Sequence, residues 1–154
     1  MSENNQFLRS KVQHWARDIT ALANPIVIIF TSLITLGLNS TFYQLLLLLA
    51  INEIFCSLIK LAFHRPRPDG QTFQGSMVKV DAGSFPSIHS SRIMLTYITI
   101  FFQSGSPLIQ GVIIFMILAV GTSRVMLKRH YWSDVIAGFI IGLAIYFIGS
   151  YFFA

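Results

Sequence analysis

The chain has 154 residues, 54% of them hydrophobic and 11% charged, with a formal net charge of +5. An ordinary soluble domain carries about 25% charged residues, so six acids and eleven Lys and Arg cannot clothe a water-facing surface of this size. An aromatic content of 14% excludes disorder, and a single cysteine excludes an intramolecular disulfide framework or a thiolate metal cluster.

A mean hydropathy of +0.66 places the chain in a membrane, and a pI of about 9.7 carried between long apolar runs suits a membrane surface better than nucleic acid. The first element is amphipathic. Leu8, Val12, Trp15, Ile19 and Leu22 recur at steps of four and three, while Arg9, Lys11, Gln13, His14 and Arg17 take the other face. The pattern predicts an interfacial helix over 5–18, with docking on a soluble partner as the alternative. It has neither the short apolar core nor the small-residue cleavage site of a signal peptide.

No charge occurs between Asp18 and Glu53, and Asn39-Ser40-Thr41 divides that stretch into spans near 19–38 and 42–61. Each approaches the roughly 20 apolar residues that a spanning helix needs. An extended polar loop follows at 71–83. A second charge-free stretch, from Arg92 to Arg124, breaks at Gln103-Ser104-Gly105-Ser106-Pro107 into spans near 87–102 and 108–126, and a last span covers 134–153. Alternating strand patterns are absent, which argues against a barrel. The predicted fold is all-α: a polytopic membrane bundle of five transmembrane helices plus the N-terminal interfacial helix, forming a single domain over 1–154.

Five spans put the N-terminus and the loops near 62–85 and 127–133 on one side, and all eleven basic residues fall in those regions or the adjoining span ends. Either the positive-inside rule or a basic site built at one membrane face produces such a bias. The first places this face in the cytoplasm, with the chain integral to the plasma membrane.

Three clusters at that face carry chemistry. Lys60 to Pro68 closes the second span, Phe85 to Ser90 opens the third, and Ser123-Arg124 with His130 and Asp134 joins the last two. Lys60, Arg67 and Arg124 are suited to surround the oxygens of a phosphate. Ser87 and the backbone N–H groups of Ile88 and His89, at a helix N-terminus, add donors. A carboxylate at Asp134 accepting from His130 Nδ1 leaves Nε2 as an attacking lone pair. His89 then protonates the departing alkoxide and later activates water. Because the protein supplies the positive charge, this scheme asks for no metal. Taken singly, each residue has a plainer reading: snorkelling anchors for Lys60 and Arg67, helix caps for Ser87 and Asp134, an interfacial belt for His130 with Tyr131 and Trp132.

Several residues stand outside these clusters. Glu53 faces the bundle interior, as a headgroup selector or as a hydrogen-bond partner of Asn52. Arg92 contacts a second phosphate or headgroup, or is solvated. Arg65, Lys128 and Arg129 attract acidic headgroups, and Gly138 with Gly142 marks a close helix contact. His14 and His64 have no evident partner.

Lys60, six residues, Arg67-Pro68; Pro86-Ser87, one residue, His89; and Ser123-Arg124, five residues, His130, three residues, Asp134 resemble the three-part signature of the type 2 phosphatidic acid phosphatase family. The motifs keep the family's order and span 60–134, about half the chain. The resemblance implies a helical membrane phosphatase that hydrolyses lipid phosphates through a phosphohistidine, with no metal or other cofactor. It implies His130 as nucleophile, Asp134 as its orienting partner and His89 as acid and base. Lys60, Arg67, Ser87, Arg124 and the backbone at Ile88 then bind phosphate. Phosphatidylglycerophosphate, phosphatidate and a polyprenyl diphosphate are the candidate substrates. A phosphotransferase using the same phosphohistidine and an inactive lipid- or anion-binding protein are the alternatives; a vanadate haloperoxidase does not suit so apolar a body. Two departures stand out. Ile88 replaces the usual glycine and must take a helical or extended backbone. The family commonly has six spans, where this chain has room for five plus the interfacial helix.

Overall fold

A computed structural model describes residues 3–63, 65–70 and 83–153, and the side chains of these from residue 10 onward. Most of the predicted polar loop at 71–83, including Lys79, lies outside the described residues, as do His64 and the side chains of Leu8 and Arg9. Among the described residues there is no strand. The helices are α1 (Glu3–Ala21), α2 (Pro25–Leu36), α3 (Ser40–Ala62), α4 (Ile88–Gln103), α5 (Pro107–Met126) and α6 (Trp132–Phe152).

The local sequence accounts for most of the boundaries. Asn24 caps α2 by accepting from the N–H of Ile26 at 3.0 Å, and Pro25 occupies the first helical position, where its missing N–H is harmless. Gly37 ends that helix at φ 70, a conformation that favours glycine. Asn39 opens α3 by accepting from Phe42 N–H at 2.9 Å. Between α4 and α5, the Gln110 amide donates to the carbonyl of Ser104 at 3.1 Å, satisfying a backbone group that the turn leaves open.

The prediction of one continuous span at 19–38 is corrected here. Residues 19–21 complete α1, the chain turns over 22–24, and only twelve residues remain for α2. The axes of 10–21 and 25–36 differ by 55°. Three helices, α3, α5 and α6, are long and apolar enough to cross a membrane, and the bent pair makes a fourth crossing if it acts as one span. The 16-residue α4 is shorter than these. It is also the central helix, packed against α2, α3, α5 and α6.

Two apolar layers hold α4 in place: Leu95 meets Ile28, Leu45 and Leu48, while Ile93 meets Ala23 and Val120. The outer faces of the other helices are left apolar and open, as at Leu58, Phe115 and Ile140, which suits a lipid surround. The α1 stripe is divided. Ile19 and Leu22 pack on the Ala23 cluster, whereas Trp15 remains 67% exposed.

Candidate active site

The three sequence clusters meet at one end of the bundle through backbone anchors. Ser84 N–H donates to the carbonyl of Arg65 at 2.8 Å and its hydroxyl to that of Pro66 at 3.2 Å, joining the segment after α3 to the one before α4. Ser87 N–H donates to the carbonyl of Asp134 at 3.0 Å, joining the starts of α4 and α6. The close approach of those two helices rests on glycine. A Cβ at Gly138 would lie 2.5 Å from the Ser87 carbonyl oxygen, and one at Gly142 would overlap the carbonyl oxygen of Ser91. The predicted small-residue contact is therefore an intramolecular one.

A cavity of about 550 Å³ opens at this junction. Lys60, Arg67, Ile88, His89, Arg124 and His130 line it, together with Glu53, Ser57, Arg92 and Arg129. Six of the eight residues expected at the site thus share one space. The other two, Ser87 and Asp134, are fully buried behind it. The Ser87 hydroxyl caps α4, accepting from Ser90 N–H at 3.4 Å and from the Ser90 hydroxyl at 2.9 Å. Ile88 is the first residue of α4, and among the described residues only Lys128 combines a side chain with a positive φ. The isoleucine therefore keeps an ordinary backbone there.

His130, 2% exposed, sits on the connection between α5 and α6. Its Nδ1 lies 2.7 Å from the carbonyl oxygen of Ser84. A carbonyl only accepts, so Nδ1 carries the proton and Nε2 presents its lone pair. Arg124 Nη2 donates towards that lone pair at 3.4 Å. Burial, and then the charges of Arg124 and Lys60, push the imidazole from 6.5 down to about 2; Arg67 adds a little, and the Ser84 hydrogen bond works the other way. The ring is accordingly neutral at physiological pH, the form that a nitrogen nucleophile requires.

The expected hydrogen bond from His130 to Asp134 is corrected. Asp134 Oδ2 is 3.9 Å from Nδ1, too far for that bond. It accepts instead from Tyr131 N–H at 2.8 Å, while Oδ1 accepts from Arg65 Nη1 at 2.7 Å. Arg65 also donates to the Ser133 hydroxyl at 2.7 Å and lies over the Tyr131 ring, 4.1 Å from its centroid. It therefore braces the α6 N-terminus, where sequence reasoning assigned it to lipid headgroups. Lys60 Nζ donates to the carbonyl of Gly83 at 2.8 Å, which directs its charge into the cavity wall. Arg129 pairs with Asp69 at 3.2 Å.

The backbone acceptors at Gly83 and Ser84 carried no side-chain signal in the sequence. Arg65 did carry one, lying two residues before Arg67 in the same cluster. Glu53 and Arg92, treated separately above, form one pair: Arg92 Nε donates to Glu53 Oε1 at 2.7 Å and Nη2 reaches the same oxygen at 2.7 Å. Asn52 instead accepts from the Ser91 hydroxyl.

In shape, the chain is similar to the crystal structure of the first transmembrane PAP2 type phosphatidylglycerolphosphate phosphatase from Bacillus subtilis. The TM-score is 0.70 at 20% sequence identity, over 98% of this chain and 87% of that one. At that identity the likeness establishes a shared fold. The sequence profile of the PAP2 superfamily matches residues 41–154, which run from the start of α3 through every residue of the cavity described above. On that match the chain belongs to the PAP2 superfamily, the family of the type 2 phosphatidic acid phosphatases.

Proposed function

We propose that this protein is an integral membrane phosphatase that removes a terminal phosphate from a lipid by way of a phosphohistidine at His130. The observation that carries the proposal is the state of that ring: Nδ1–H is anchored on a carbonyl, and Nε2 is directed into a cavity with Lys60, Arg67 and Arg124 on its walls.

In the first step Nε2 attacks phosphorus, the bond from phosphorus to the lipid oxygen breaks, and His89, held as imidazolium by the negative charge of the bound phosphate, gives that oxygen its proton. In the second step His89 takes a proton from water, the hydroxide attacks phosphorus, and the phosphorus–nitrogen bond breaks to release phosphate and restore His130. The three cations and the N–H groups opening α4 stabilise charge on the transferring group. Preorganised donors of this kind typically contribute about 3–4 kcal/mol each. Asp134 serves this scheme through the α6 N-terminus and Arg65, and its carboxylate favours the imidazolium side of the reaction from 3.9 Å.

The substrate is a phosphomonoester or diphosphate whose tail stays in the bilayer. Phosphatidylglycerophosphate, phosphatidate and a polyprenyl diphosphate all fit that description, the first being close to what the Bacillus subtilis protein is described as hydrolysing. In this reading α4 crosses the membrane enclosed by its neighbours, giving five crossings with the bent pair, and the basic end faces the cytoplasm.

The test is phosphate release by purified protein in mixed micelles, from a panel of these lipids, with EDTA present and no acceptor alcohol. Wild type should release phosphate, and His130→Ala should lower kcat by at least about 10⁴-fold, as loss of a catalytic nucleophile does. Equal release by the variant overturns the mechanism. Release only when an alcohol acceptor is added makes the protein a phosphotransferase.

A further inference from the structure

We propose that Glu53, held by Arg92, selects the leaving alcohol: it favours one that bears a hydroxyl and disfavours a leaving phosphate. This rests on the phosphatase reading above and adds to it a class of substrate.

Glu53 precedes Lys60 by seven residues on α3, so the two share a helix face about 10 Å apart along the axis. On α4, Arg92 follows His89 by one turn in the same direction. Moving inward from the cations, the cavity wall therefore presents His89 and then the Glu53–Arg92 pair. Once His89 protonates the leaving oxygen, the rest of the leaving alcohol runs past that pair on its way to the bilayer.

Arg92 is fixed and its charge is matched. It is buried, donates to the Ala23 carbonyl at 2.7 Å through Nη1, and spends Nε and Nη2 on Glu53 Oε1. Among the described residues both contacts to Glu53 fall on Oε1, which leaves Oε2 as an acceptor on a half-buried residue of the cavity wall. Glu53 is also the one carboxylate among the described residues on that wall. A hydroxyl two or three bonds from the leaving oxygen can donate to Oε2. A second phosphate in that place brings negative charge against a carboxylate and finds Arg92 already neutralised. The class selected is thus a lipid phosphomonoester with a glycerol-type hydroxyl next to the scissile bond.

The experiment compares kcat/KM of the full-length protein for three lipids: a lysophosphatidate, its 2-O-methyl ether and farnesyl diphosphate. Sites that bind a substrate hydroxyl reject analogues lacking it strongly; for a half-exposed acceptor the expected preference of wild type for the free hydroxyl is about 10-fold. Glu53→Gln should bring that ratio to within about 3-fold and raise the diphosphate relative to the ether by about 10-fold. Glu53→Asp, with its charge kept and its reach shortened, should lose the hydroxyl preference while still excluding the diphosphate. It also serves as the test if the Gln variant does not fold. Unchanged ratios in both variants, no hydroxyl preference in wild type, or a fall in relative diphosphate turnover in Glu53→Gln overturns the inference. A wild type that releases no phosphate from any of the three fails at the earlier stage, the phosphatase reading itself.

Discussion

The contact between α4 and α6 and the corner between α1 and α2 each touch residues on or beside the wall of the candidate cavity, yet they are made by opposite means. The first is defined by side chains that are missing: Gly138 and Gly142 lie so close to the Ser87 and Ser91 carbonyls that no Cβ fits at either position. The second is defined by side chains that reach. Thr20 shares a 2.7 Å hydrogen bond with Ser123, next to Arg124, and Arg92 holds the Ala23 carbonyl. Steric contact fixes position to fractions of an ångström, whereas single polar links can be remade at small cost. On this basis the positions of His89 and His130 are expected to depend on the glycine contact more than on the corner.

The largest effect expected from this contrast is at Gly138. Overpacking a core usually costs about 1–3 kcal/mol, but here the obstacle is backbone, at 2.5 Å from the new Cβ, and cannot swing aside. Gly138→Leu should yield no folded protein by size exclusion and thermal unfolding in detergent. A normal unfolding curve with wild-type activity would remove the glycine contact from the account. An intermediate effect belongs to Asp134→Asn, which keeps the fold but removes the charge that Arg65 grips at 2.7 Å. Misplacing a catalytic group by about 1 Å can lower rate about 10²-fold; a fall of that size in kcat with little change in KM is expected, and a change under 3-fold would make Arg65 and Asp134 merely structural. The smallest effect is at the corner. Thr20→Val should lower stability by about 1 kcal/mol and leave kcat/KM within about 3-fold of wild type. A loss beyond 10-fold would make the corner part of the positioning apparatus and collapse the distinction.

Much of the site could be read from residue order, because a phosphate demands a rare combination of types. Lys60, Arg67, Arg124, His89 and His130 do line one cavity. The anchors could not be read so well. The acceptor for His130 Nδ1 is the carbonyl of Ser84, an atom every residue possesses, in a segment without regular structure. The nearest carboxylate in sequence, at Asp134, was the chemically reasonable choice, but it is taken up by Tyr131 N–H and Arg65. In the fold, spans defined by absence of charge matched α3, α5 and α6 closely. The 19–38 span failed because hydropathy does not register a bend. The Asn24-Pro25 pair was the available sign, a cap followed by a first-position proline.

The hydrogen bond from Ser87 N–H to the Asp134 carbonyl also bears on the order in which the molecule can become active. Translation delivers the cations of α3 and α5 and the imidazole of α4 before α6. Until α6 enters the membrane, the start of α4 lacks its partner across the junction, and Arg65 lacks the carboxylate it grips. On the proposed mechanism, a nascent chain without α6 carries the charges but lacks the frame that focuses them.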